Sequence, residues 1–359
     1  MNLIKKFFFK KADAGHVNIS ELEERIKEIR KNSDVIAICP DNTGYSWLGV
    51  KRGALALFDD KLLVLPQYYS ESRLSVKELS EICDLIINQE FQKIVLRGFP
   101  PYFEFLIKYL KEKKQNLPVY FLYAGFLAEN SSNLAAKENF VRIIELIRTG
   151  LINKVGFNKP GLAETVKNLY GIDAFEYLNK TYIYPPELLE KQSLPNGFNI
   201  GVLGNNDFRK NIHNQVAAAL MVKNSYVHVR ELDPVQYLDT TKRRIIEHNG
   251  ELSHQAYVSL LAGMDLNMYV SFSESWGHVI TESLSVGIPC LVSKTSSIFD
   301  YDDELADLLI VKDIDNSVAI TAQIKRILHR KDEIGRRGRE YVLKLNRIAD
   351  ERINEWLDD

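Results

Sequence analysis

Asn267-Met268-Tyr269-Val270-Ser271-Phe272-Ser273 runs into Glu274-Ser275-Trp276-Gly277-His278-Val279-Ile280-Thr281-Glu282 and leaves through Val286-Gly287-Ile288-Pro289-Cys290-Leu291-Val292-Ser293. A strand-like apolar run, a glycine-bearing turn, a helix-length segment stopped by Gly287 and Pro289, and a second apolar strand read as one strand-helix-strand unit of a parallel sheet. Two carboxylates straddle the turn that opens the helix. With that helix beginning near Gly277 or His278, Glu282 falls in its first turn or two. At about 1.5 Å of rise per residue, the carboxylates flank a group several ångströms long instead of sharing one pocket. Amides at a helix start hold an anion, Gly277 lets backbone approach it closely, and carboxylates bind neutral hydroxyls beside it. A sugar diphosphate has that shape. For either glutamate alone, an acid favoured by the helix dipole is the simpler account.

A second feature lies at the right distance. Gly204-Asn205-Asn206-Asp207-Phe208-Arg209-Lys210-Asn211 follows the apolar run Asn199-Ile200-Gly201-Val202-Leu203. Ligands of open α/β sheets bind beyond the carboxyl ends of strands, so this loop and the Glu274 loop belong to one rim, where Lys210 reaches a diphosphate. The spacing is not that of a phosphate-binding Walker loop, because neither Ser nor Thr follows the lysine.

Outward from there, short apolar strands alternate with longer amphipathic stretches in two blocks. The first has strands expected at 35–39, 61–65, 93–96, 119–123 and 154–157, with helices such as 76–88, 102–113 and 136–149. The second has strands at 198–203, 225–230, 244–248, 266–272, 290–293 and 308–311. Pro185-Pro186, Pro195 and Gly197 mark the linker. Residues 1–194 therefore read as an N-terminal Rossmann-like domain, 195–331 as a C-terminal one, and 332–359 as a helix packing back across both, with Ile334, Tyr341, Val342, Leu345, Ile348, Ile353 and Trp356 at helical spacing. Arg336, Arg337 and Arg339 lie among acids and read as a solvated helix face.

With 359 residues, 45% hydrophobic and 26% charged, the chain has core enough for two folded domains. A net charge of −2 without a long basic block argues against nucleic acid as a partner. Cys39, Cys83 and Cys290 are too scattered for a disulfide framework or a zinc site and suit a reducing cytoplasm. No apolar run spans a membrane. The first eleven residues interleave Phe7, Phe8 and Phe9 with four lysines, which suits either a peripheral contact at the inner face of an anionic membrane or a terminal helix docked on its own domain.

Together these residues resemble the retaining glycosyltransferases of the GT-B fold, family 4 in particular. The likeness is clearest from Phe198 to the C-terminus and topological before it. It implies two Rossmann-like domains facing each other across a cleft, the second binding a nucleotide-diphosphate sugar such as a UDP-sugar. The family's Glu-x-Phe-Gly followed by a second Glu stands here as Glu274-Ser275-Trp276-Gly277 and Glu282. By that resemblance Glu274 contacts the donor hexose, Glu282 the ribose hydroxyls, and amides around Trp276 to His278 the phosphates. Asn249-Gly250-Glu251-Leu252 borders the base. In the family's Gly-Arg-Leu-x-x-x-Lys-Gly segment, Lys210 matches the lysine, Asn205 stands at the arginine, and Arg209 is the neighbouring cation able to substitute. Lys210 and Glu274 are the implied catalytic pair.

The resemblance also implies that the first half binds the acceptor, a glycan or lipid-linked sugar of polysaccharide biosynthesis. Gly44, Tyr45 and Trp47 stand in the loop after the first strand; the aromatic pair offers faces for a sugar ring, although Asp-Asn-Thr-Gly is also ordinary turn chemistry. Tyr123-Ala124-Gly125 occupies the place of a family histidine. The implied mechanism needs no metal, since the leaving diphosphate takes the acceptor's proton. Three other readings stay open: a metal-dependent transferase using Asp300-Tyr301-Asp302 or Asp313-Ile314-Asp315, where acidic turns are the simpler account; a sugar-nucleotide epimerase of the same fold; and a non-catalytic partner or carbohydrate-binding subunit. His278 is placed either against the donor or at a solvated helix start, and the other histidines lack metal-ligand spacing.

Overall fold

The computed structural model describes residues 18–41, 48–66, 74–131, 133–190, 192–230, 232, 244–250 and 252–358. The chain forms two compact units, one from Met1–Lys180 with Arg352–Asp359 and the other from Thr181–Glu351. The sequence reading sets the border at 194/195. Residues 181–190 instead associate with the second unit because Thr181 exchanges backbone hydrogen bonds with the Asn346 side chain (2.9 and 2.8 Å), and Glu190 N–H donates to Ser259 Oγ (3.0 Å).

In the first unit, β1 (Val35–Asp41), β2 (Leu62–Pro66), β3 (Lys93–Arg97), β4 (Val119–Tyr123), β5 (Lys154–Phe157) and β6 (Phe175–Glu176) form a sheet in the order β2-β1-β3-β4-β5-β6. The second unit holds β7 (Phe198–Val202), β8 (Ser225–Val229), β9 (Ile245–Glu247), β10 (Leu266–Tyr269), β11 (Cys290–Ser293) and β12 (Ile310–Val311), ordered β12-β11-β10-β7-β8-β9. Every pairing among these strands is parallel. Both orders are doubly wound, with helices covering each face, which is why β3, β4 and β10 are buried almost end to end and read as unbroken apolar runs. Order reverses between β1 and β3 in one sheet and between β7 and β10 in the other.

Helix Val76–Asn88 starts where expected because Ser75 and Glu78 form a reciprocal capping box, and it buries Leu79, Ile82, Cys83 and Ile86 along one stripe. Beneath the other face of that sheet lie Ile353, Trp356 and Leu357, the last turn of the helix Lys331–Asp358, with Trp356 stacked on Phe175 at 5.8 Å. Lys93 and Lys154 donate to the final carbonyls of Leu357 and Trp356, neutralising the negative end of the helix. Strand β10 stops at Tyr269, short of the expected 272, because Ser271 N–H turns back onto Tyr269 O (3.0 Å). Leu308 belongs to the helix Asp303–Leu309, capped by Asp302, which shortens β12.

In the second unit, Gly335 lies against the turn after the helix His278–Ser285. A Cβ there would sit 1.9 Å from the carbonyl oxygen of Gly287. Backbone cannot swing aside as a side chain can, so Gly335→Ala should destabilise the protein by about 1–3 kcal/mol in chemical denaturation; unaltered stability would show that the helices are free to separate.

His228 is fully buried, with Nε2 3.0 Å from Asn199 Oδ1 and Nδ1 2.9 Å from His248 Nε2. The Asn199 amide nitrogen already donates to the carbonyls of Pro195 and Gly197, so its Oδ1 accepts from His228 and His248 Nε2 donates to His228 Nδ1. Burial, with His248 adding to it, holds His228 down at about 4 against an ordinary 6.5. The unfolded chain thus binds this proton first as pH falls. The contribution is complete above pH 6.5 and is lost on descent toward about 4, about 3 kcal/mol in all. Urea stability should fall between about pH 7 and about pH 4.5, and His228→Gln should flatten that decline.

Candidate functional site

The site is built where β7 and β10 lie side by side. Chain leaving β7 enters the 203–211 loop, and chain leaving β10 enters 270–277. The Asp207 carboxylate accepts from Arg209 N–H (3.1 Å), winding 208–210 into a single turn, and Asn211 exits it with φ 54°. Two stitches hold the loops together. Phe272 N–H donates to Arg209 O (2.7 Å), and Gln215, buried on the helix Ile212–Leu220, donates to Lys210 O (2.6 Å) while accepting from Val270 N–H (2.8 Å).

This geometry brings Lys210 and Glu274 together, both almost wholly buried. Lys210 Nζ donates to Glu274 Oε1 at 2.5 Å and to the hydroxyl of Tyr269, whose ring it overlies at 4.5 Å. Arg209 reaches the same carboxylate oxygen at 3.1 Å and also pairs with Asp207 at 3.0 Å. Burial pulls the Lys210 ammonium below its ordinary value, with Glu274 opposing that pull; burial and the Glu274 charge push the Tyr269 phenol well up. Two cations on one carboxylate oxygen form a cluster that an anionic ligand can rearrange, since diphosphate oxygens offer both cations further acceptors.

Gly277 begins the next element. Its φ of 89° is left-handed, and a Cβ would meet Ile280 Cδ1 at 2.8 Å. The helix His278–Ser285 that follows has no side-chain cap on Gly277, and its positive dipole end faces the turn after β10. Along it, Glu282 is 2% exposed and accepts from His254 Nε2 at 2.8 Å. Thr281 is joined to Thr181, hydroxyl to hydroxyl, at 2.6 Å.

The other expected residues fall in various places. Asn205 is exposed, and Arg209 supplies the guanidinium of the cation cluster. Ser275 and His278 are half-buried at the turn. Trp276 is 1% exposed, so it contributes backbone and packing at the turn. Gly250 has φ 91° and accepts from Arg230 at 2.5 Å, and Leu252 packs on the cluster of Leu203, Tyr257, Leu260 and Leu261. Tyr123 closes β4 with its ring packed between Phe140 and Phe157, and burial raises its phenol. Gly44, Tyr45, Trp47, Glu251 and the segment 1–11 lie outside the described residues.

Asp302, Asp313 and Asp315 of the acidic pairs have structural partners. Asp302 caps a helix and meets Arg337 at 2.7 Å, Asp313 accepts from Asn316, and Asp315 accepts from Asn214. Arg336 pairs with Glu340, and Arg337 also with Glu304. Sequence reading passed over Tyr269, Gln215 and His254. Gln215 had left a signal, a single amide on the apolar face of Ile212-His213-Asn214-Gln215-Val216-Ala217-Ala218-Ala219-Leu220; Tyr269 and His254 had left none.

No protein-family model matches the chain, and no curated protein sequence does. Solved structures do resemble it. Sucrose-phosphate synthase from Thermosynechococcus elongatus superposes with a TM-score of 0.60 at 13% identity, covering 90% of this chain and 98% of that one. HepE from Anabaena, in complex with UDP and glucose, gives 0.61 at 13% identity, covering 90% and 99%. A UDP-forming α,α-trehalose-phosphate synthase from Burkholderia xenovorans, in complex with glucose-6-phosphate, gives 0.62 at 11% identity, again covering 90% and 99%. This chain therefore has the GT-B fold of two Rossmann-like units. Among the described residues, no helix is long and apolar enough to cross a membrane.

Proposed function

We propose that this protein is a glycosyltransferase that moves a sugar, with retention, from a nucleotide-diphosphate sugar to a carbohydrate or lipid-linked acceptor in glycan assembly. The observation that carries the reading is the convergence of Lys210 and Arg209 on one oxygen of Glu274 at the point where the second sheet reverses its strand order. There the diphosphate takes the two cations at the positive end of the helix His278–Ser285, Glu274 turns to the sugar hydroxyls, and Glu282 binds the ribose. The neighbours whose descriptions include UDP, UDP-glucose or glucose-6-phosphate support a uridine nucleotide as the first donor to try and a sugar as acceptor.

In the reaction the bond from the anomeric carbon to the phosphate oxygen breaks, and the acceptor hydroxyl adds on the same face. Its proton passes to the departing phosphate oxygen. The protein's task is to stabilise charge on that leaving group, for which preorganised cations and amides suffice. The reading therefore assigns no metal to the chemistry, and transfer should persist in excess chelator; loss of activity restored by magnesium would reopen the Asp300-Asp302 and Asp313-Asp315 alternatives. Three buried free cysteines suit a reducing compartment, and we assign the protein to the cytoplasm.

A thermal-shift screen against nucleoside diphosphates and their sugars tests the proposal, because a ligand at about 100 times its dissociation constant stabilises by about 2.7 kcal/mol. Silence across that panel would refute it. Product analysis then separates transfer to an acceptor from release of an altered free sugar, the signature of an epimerase.

A further inference from the structure

The loop after β9 delivers an unexpected side chain to the site. Gly250 and Leu252 lead into Ser253, which caps the helix His254–Ala262 by accepting from Ala256 N–H at 3.1 Å, and this cap makes His254 the first helical residue. From there its Nε2 lies 2.8 Å from Glu282 Oε1, and its Nδ1 lies 3.0 Å from the hydroxyl of Tyr184. A carboxylate only accepts, so Nε2 carries a proton and donates to Glu282. The two ring nitrogens of His254 thus join Tyr184 to Glu282.

The far end of this chain is fixed too. Tyr184 packs edge-on against His254, with ring centroids 5.3 Å apart, and Pro185-Pro186 follow it into a short turn. Gln255 donates to Leu188 O at 2.5 Å, and Ser259 accepts from Glu190 at 3.0 Å, so the 184–190 segment is laid along the helix that His254 begins. A buried carboxylate left to rotate would bind a pair of hydroxyls poorly. One held by a charge-assisted hydrogen bond keeps a fixed orientation.

We infer that His254, held by Tyr184, is the positioning residue that sets the Glu282 carboxylate for the cis-diol of a ribose, and so makes the site select ribonucleoside diphosphates. This rests on the donor-site reading above. Its distinctive consequence is that loss of His254 costs affinity only for ligands that have those hydroxyls, whereas a residue needed merely for folding would affect all nucleotides alike.

The test measures binding of UDP and of 2′,3′-dideoxy-UDP to the full chain by calorimetry, for the wild type and for His254→Ala, His254→Gln and Tyr184→Phe, with melting temperatures in parallel. His254→Ala should weaken UDP on the order of ten-fold or more while leaving dideoxy-UDP unchanged. His254→Gln, whose amide nitrogen takes the place of Nε2, should recover part of the loss. Tyr184→Phe should show the same selective loss at smaller size, and it serves as the test if His254→Ala does not fold. Equal loss for both ligands, or no loss for either, overturns the inference. A wild type that binds neither nucleotide overturns the donor-site reading itself, and one that binds both equally well removes Glu282 from ribose recognition.

Discussion

Lys210→Ala is expected to cut turnover on the order of 10²- to 10³-fold, the typical loss when one preorganised donor to a developing oxyanion is removed. Nucleotide affinity should change far less, because on this proposal Arg209 and the positive end of the helix His278–Ser285 remain to hold the ground-state diphosphate. The geometry explains the asymmetry. Lys210 is 6% exposed and sits between the Tyr269 phenol and the Glu274 carboxylate, so its charge acts where water cannot screen it. As burial lowers its proton affinity, the ammonium is lost at a lower pH than an ordinary lysine's, and the alkaline limb of kcat should reflect that. Lys210→Met is the control for packing, since it keeps the stem and removes the charge. Turnover unaffected by either change would remove Lys210 from the mechanism.

Glu282→Ala should lower nucleotide affinity by about 1.5–3 kcal/mol, roughly ten- to a hundred-fold, through the loss of charge-assisted hydrogen bonds to the ribose. The carboxylate is 2% exposed and held by His254 at 2.8 Å, so it reaches a ligand with little orientational entropy left to lose. Turnover at saturating donor should fall less than affinity does, because ribose binding is made equally in ground and transition states. Equal affinity in calorimetry would refute the ribose role. A drop in turnover with no change in affinity would move Glu282 from binding to chemistry.

Much of the fold was legible because period and punctuation agree. Strands β4, β5 and β11 and the helices 76–88 and 102–113 lie at the expected bounds, the strands as short apolar runs and the helices as amphipathic stretches between turn signals. Where local pattern and tertiary demand part, the reading slips. Phe175–Glu176 is too short to register as a strand, and its pairing with β5 arises from the fold around it. The 181–190 segment reads as linker from its prolines, yet its hydrogen bonds to Ser259, Thr281 and Asn346 attach it to the second unit.

The sequence by itself determined the doubly wound class and singled out Lys210, Glu274 and Glu282 as candidates on two loops, because glycine turns, strand runs and helix stops are local features carried by neighbouring residues. Only the tertiary structure decided that Arg209 rather than Asn205 joins Lys210 on Glu274, that Tyr269 and Gln215 lock the loops, and that Tyr184 and His254 reach Glu282. Those contacts join residues dozens of positions apart. Side-chain direction at such distances is fixed by how strands and helices stack, which a pattern read along the chain does not encode.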